Sequence, residues 1–194
     1  MDAIPHANAA PANDLAPLRV GQAPVGPPAA ACASTTIESW TGDASRASDQ
    51  YPDDIEAAVT WRRVGTTGCV DRYAPSGEAH YHFAIPGALC RQTVTPDSKS
   101  VAAGEGTLTV DRSTSPATYT MHGATTWSVT WTCTRDDGST DTMTFDAGGL
   151  WVDASGTVGA GSIAGSTTQP DGLQCGQGNS TLPCTYTWSF TAAP

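Results

Sequence analysis

The sequence predicts an all-β fold, an antiparallel β-sandwich or, as the alternative, a β-barrel, built from about eight to ten short strands. Three observations predict it. Long runs alternate apolar and polar residues with a period of two, glycine-containing turn signals separate those runs, and six cysteines are spread along the 194 residues. An even, dispersed set of cysteines without a CxxC pair reads as a disulfide framework rather than a zinc site, whose ligands usually come in close pairs.

Residues 1–31 are dominated by Ala, Pro, Asn and Gly, with Pro5, Pro11, Pro17, Pro24, Pro27 and Pro28 blocking helices and ladders alike. They are expected to form an extended Ala/Pro-rich tail or linker, leaving 32–194 as a single all-β domain. Met1–Ala10 has neither the basic flank nor the apolar stretch of an export signal, and no run reaches the length of a membrane helix.

Within the domain, Tyr51–Glu56 carries a proline followed by acids, the pattern of a helical first turn, but Val59, Thr60 and Trp61 limit any helix to a turn or two. The run 127–133 then places Trp127, Val129, Trp131 and Cys133 on one face of a strand and Ser128, Thr130 and Thr132 on the other. Asp137-Gly138 supplies the positive φ of a tight turn, so 125–134 and 140–146 should pair as a hairpin. Gly148-Gly149, Ser155-Gly156 and Asp171-Gly172 read as further reversals between strands near 150–153, 156–164 and 183–191. In the last of these, Cys184, Tyr186, Trp188 and Phe190 share the inward face.

Six cysteines allow fifteen pairings. The expected bridges are Cys175–Cys184, closing a loop before the last strand, Cys69–Cys90 between neighbouring segments, and by elimination Cys32–Cys133.

Candidate sites are few. Glu78, His80 and His82 recur at i, i+2 and i+4, so a strand would project all three from one face, where they can share a metal ion; a third or fourth ligand would have to come from elsewhere, and His122 is the remaining histidine of the domain. Trp40 and Trp151 lack an alternating apolar context and are candidate stacking surfaces for a sugar, with Asp153 as an acceptor for its hydroxyls. The acid pairs Asp53-Asp54 and Asp136-Asp137 are adjacent and therefore too close to flank a glycosidic bond. Gly159–Gly165 satisfies neither GxSxG nor a phosphate loop and reads as a strand of small residues. Asn179-Ser180-Thr181 is an N-glycosylation triplet.

Nine Lys plus Arg against nineteen Asp plus Glu give a net charge of -10, which opposes phosphate backbones and excludes nucleic acid as a partner. The leading expectation is a secreted or cell-surface, non-catalytic binding module for a carbohydrate or an extracellular protein. Its alternatives are a structural subunit of an extracellular assembly and a small metal-dependent hydrolase using Glu78, His80 and His82. No cofactor is expected apart from that metal ion.

Overall fold

A computed structural model describes residues 31–48, 53–169 and 183–193. The described residues form ten strands: β1 (Ser39–Ser48), β2 (Asp53–Thr67), β3 (Val70–Phe83), β4 (Arg91–Thr95), β5 (Ser98–Val101), β6 (Gly106–Asp111), β7 (Thr118–Thr134), β8 (Thr140–Thr157), β9 (Ser162–Gln169) and β10 (Cys184–Ala193). A single 3-10 turn, Ala103–Glu105, precedes β6. All ten belong to one antiparallel, unclosed sheet, the all-β class the alternation predicts.

The ladder runs β9-β10-β1-β2-β3-β6-β7-β8. β3 and β7 are long enough to hold two neighbours on one edge. β6 joins them along one half, while β5 and β4 occupy the rest of their edges. The sheet folds over a common interior, so that β8 packs against β1, β2 and β10, none of which is its ladder partner.

Inward alternation builds that interior. Trp40, Trp61 and Trp151 are fully buried together with Ile55, Leu108, Ile163 and Phe190. The Trp61 and Trp151 rings lie 5.7 Å apart, and Phe190 meets Trp61 edge-on at 6.2 Å. Fully burying each such side chain stabilises the fold by about 1.5–3 kcal/mol. A smaller cluster of Tyr81, Val129 and Ala147, flanked by Phe83, Val94, Trp127 and Phe145, fills the space where β3 and β7 diverge.

One buried and one partly buried ion pair pin the strands. Asp71 on β3 accepts from Arg112 Nε at 2.6 Å and from the Thr66 hydroxyl at 2.6 Å, while Arg112 Nη1 also reaches the Ser34 carbonyl at 2.7 Å. Arg46 points inward from β1 and donates to Asp53 on β2 at 2.9 Å.

Several expectations are corrected. The helical turn is absent from the described part of Tyr51–Glu56, where β2 begins at Asp53: Ile55, Ala57 and Val59 alternate inward and pair with β1 and β3, which outweighs the acidic helix-start signal. Gly148-Gly149 and Ser155-Gly156 do not reverse the chain, because β8 continues through both to Thr157. The expected strand at 156–164 is therefore divided by a turn at 158–161, leaving β9 to begin at Ser162.

The bridges join Cys32 to Cys69 and Cys90 to Cys133, each with Cα atoms 5.4 Å apart, in place of the expected Cys69–Cys90 and Cys32–Cys133. Backbone pairing is the reason. Arg112 connects to the carbonyl of Cys69 and to the amide of Ala33, which brings Cys32 to the β2–β3 turn, and β4 lies against β7 with Gln92 opposite Cys133. Cys184 is disulfide-bonded, whereas its expected partner Cys175 lies outside the described residues. Residues 1–30 of the expected tail, Asp171-Gly172 and the Asn179 triplet lie outside them as well.

Candidate groove between β8 and β9

β8 and β9 are consecutive strands separated only by residues 158–161, which would ordinarily make a hairpin. Yet β8 is paired only with β7, and β9 only with β10, among the described residues. Gly159 donates to the Ser162 carbonyl at 2.8 Å across the turn, but Gly161 is tied to Ala192 and Val158 to Ala117, so the two strands leave the turn toward different neighbours. The result is a groove of about 520 Å³ at the seam of the sheet.

One wall comes from β6, β7 and β8. Thr107, His122 and Asp153 form one cross-strand row, while Thr120 and Ser155 belong to the next. Thr167 and Gln169 of β9 make the other wall, and Met121, Ala154 and Trp188 supply its apolar part. His122 Nδ1 stands 3.9 Å from Asp153 Oδ1, with both side chains about half exposed. Trp188 is buried to within 6% and donates its Nε1 proton to the Tyr119 hydroxyl at 3.0 Å, a bond that crosses from β10 to β7 beneath the groove. Gly165, directly opposite Trp188, leaves the indole room that any Cβ would take.

The direction of Asp153 is set by a bulge. Opposite β7, the register changes by one between Gly123 and Ala124, leaving Trp151 without a partner. Gly148 and Gly149 adopt φ of 89° and 111° just before it, a backbone region that disfavours side chains. Before the bulge Phe145 and Ala147 face inward; after it Val152 and Ala154 do, so Asp153 and Ser155 turn outward. Bulges commonly re-aim side chains in this way. Trp151 itself swings inward across Gly123, where a Cβ would collide with its ring.

Of the residues singled out from the sequence, Asp153 lines the groove, but Trp40 and Trp151 are both 0% exposed and offer no face to a ligand. Burial follows from the bulge for Trp151 and from the inward phase of Gly42, Ala44 and Arg46 for Trp40. Trp188, placed in the core by alternation, is the indole that does reach the groove.

Glu78, His80 and His82 share the outer face of β3 as expected. They do not gather around one point: His80 Nε2 is 3.8 Å from Glu78, while His82 Nε2 turns to Glu56 on β2 at 4.0 Å. Among the described residues no group of three His, Cys, Asp or Glu side chains is placed to hold a metal ion. His122 lies on β7 at the seam and pairs with Asp153.

Burial pushes the Tyr73, Tyr81 and Tyr186 phenols up. Burial also pushes the Glu105 carboxyl up, but the hydrogen bonds from Lys99 and the Ala102 amide outweigh it and hold the group below its ordinary value.

No known protein family, curated protein or solved structure matches the chain. Among the described residues no helix is long and apolar enough to cross a membrane, and the two described disulfides fit an extracellular protein.

Proposed function

We propose that the chain is a secreted, non-catalytic binding module that takes a carbohydrate in the groove between β8 and β9. The observation that carries this reading is the lining: hydroxyls, one amide, one imidazole and one carboxylate converge over an indole edge. A ligand rich in hydroxyls can exchange donors and acceptors with such a set, while the buried Trp188 meets its apolar side. The net charge of -10 directs the choice toward neutral or cationic sugars.

A screen of immobilised oligosaccharides, followed by calorimetric titration of the strongest ligand, tests the reading. Asp153→Ala should weaken binding about tenfold or more, the effect of losing a hydrogen bond to a charged group worth ~1.5–3 kcal/mol. No bound sugar in the screen, or a ligand whose affinity is unchanged by both Asp153→Ala and His122→Ala, would refute it.

The edges of β8 and β9 that have no ladder partner among the described residues favour a second reading, a structural subunit that accepts a neighbour's strand at the seam. Assembly that rises with protein concentration, measured by light scattering, is its expected signature, and a monomer throughout counts against it.

A further inference from the structure

We infer that the outer face of β4, β7 and β8 is an ice-binding surface, independent of the groove. The ladders set its side chains in register. Thr95, Thr130 and Thr144 form one cross-strand row, and Thr93, Thr132 and Thr142 the next. A third row holds Arg91, Thr134 and Thr140. Threonine therefore fills every position of this three-by-three array except one corner.

Such an array repeats at about 4.8 Å between strands and about 6.8 Å along each strand. Oxygen atoms on a prism face of ice repeat on a similar pair of lengths, a little shorter than the first and a little longer than the second. Threonine suits that surface chemically as well as geometrically. Its methyl group holds a cage of water, its hydroxyl joins the hydrogen-bond network, and its branched carbon restricts χ1 so that neighbours present the same pattern.

The face is both open and backed by a fixed layer. Thr93, Thr95, Thr140, Thr142 and Thr144 are exposed, and the flanked central threonines are partly so. On the reverse side, the Cys90–Cys133 bridge ties β4 to β7, Trp131 donates to Gln92 at 3.0 Å, and Val129 is buried. Thr130 and Thr144 hydroxyls lie 3.1 Å apart across the β7–β8 ladder.

Charge and aromatic placement select ice over other lattices. An ionic mineral calls for charged side chains, but here Arg91 occupies a corner and Asp146 lies opposite Ser128, outside the three rows. A crystalline polysaccharide calls for aromatic rings, and Trp131 and Phe145 face the other way. Elsewhere on the outer face threonine makes a single row rather than an array: Thr191, Thr41 and Thr60 form one, but the adjacent row holds Ser189, Asp43 and Ala58, and Ser45, Glu56, His80 and Ser98 make the next.

The test is ice recrystallisation and crystal shape in solutions of the full chain at up to millimolar concentration. Wild-type protein should suppress recrystallisation and facet the crystals. Thr132→Arg, at the centre of the array, should abolish both, whereas Thr187→Lys on β10 should leave both intact; circular dichroism establishes that each variant keeps its fold. Unshaped, freely recrystallising ice with the wild type would overturn the inference, as would equal activity of Thr132→Arg or equal loss in Thr187→Lys. Because the array and the groove share no residue, sugar binding by Thr132→Arg reports on the groove separately.

Discussion

Two flanks of the same sheet are put together differently. From β10 through β1 to β2, each strand has a neighbour on both sides, and outward hydroxyls bond within the ladder, as Thr41 does with the Thr60 hydroxyl at 3.1 Å and Thr191 with the Thr41 carbonyl at 3.4 Å. At the β8–β9 seam the ladder is interrupted, and cross-layer contact passes instead through the Trp188–Tyr119 hydrogen bond below. On the closed flank no strand edge is left open between β10 and β2. The seam leaves His122, Asp153 and Gln169 facing a groove, which is why a ligand is assigned there.

The contrast predicts large stability effects on the closed flank and small ones at the seam. Trp61→Ala would remove a fully buried ring between Trp151 and Phe190 and should cost about 3–5 kcal/mol in urea unfolding. A loss below about 1 kcal/mol would show that the interior is not packed around that ring. Tyr119→Phe keeps the ring but leaves the buried Trp188 donor unpaired, with an expected loss of about 1–3 kcal/mol. Asp153→Ala, on the exposed wall, should stay within about 0.5 kcal/mol while impairing ligand binding. A larger stability loss at Asp153 than at Tyr119 would reverse the assignment of structural and binding roles.

Acid separates the regions in another way. Glu105 is held below the ordinary value of 4.5 chiefly by Lys99 against the opposing effect of burial, so its contribution is complete above that value and disappears as pH falls through the lowered one. Lys99→Met should shallow the loss of stability below about pH 4.5, measured by urea titration at several pH values. At the alkaline end the direction reverses. Tyr73, Tyr81 and Tyr186 are raised by burial above the ordinary 10.0, so the stability they contribute is present below that pH and is lost as pH climbs through their raised values.

The core strands were legible in the sequence because alternation directly reports a face: Trp131 and Cys133 point inward on β7, as do Tyr186, Trp188 and Phe190 on β10. The 125–134 and 140–146 hairpin was legible for the same reason, aided by Gly138 at φ 82°. Alternation carries no register, however. The single extra residue at Trp151 changes the phase of β8, so Gly148-Gly149 resembled a turn, and Trp151 resembled a surface residue.

Trp40 was obscured differently. Its inward companions Gly42, Ala44 and Arg46 are small or charged, and the burial of Arg46 depends on Asp53 from the next strand. Cysteine pairing likewise depends on which strand lies beside which. The groove had no local signal beyond Asp153, because its walls meet only through the path of β8 and β9 after residues 158–161.

The location of the ligand is tested most directly by amide and indole chemical-shift mapping of the isotopically labelled chain during titration with the strongest oligosaccharide from the screen. Shifts centred on Thr107, His122, Asp153, Thr167, Gln169 and the Trp188 indole are the predicted result. Saturable shifts centred anywhere else, or no shifts at all, would contradict binding at the seam.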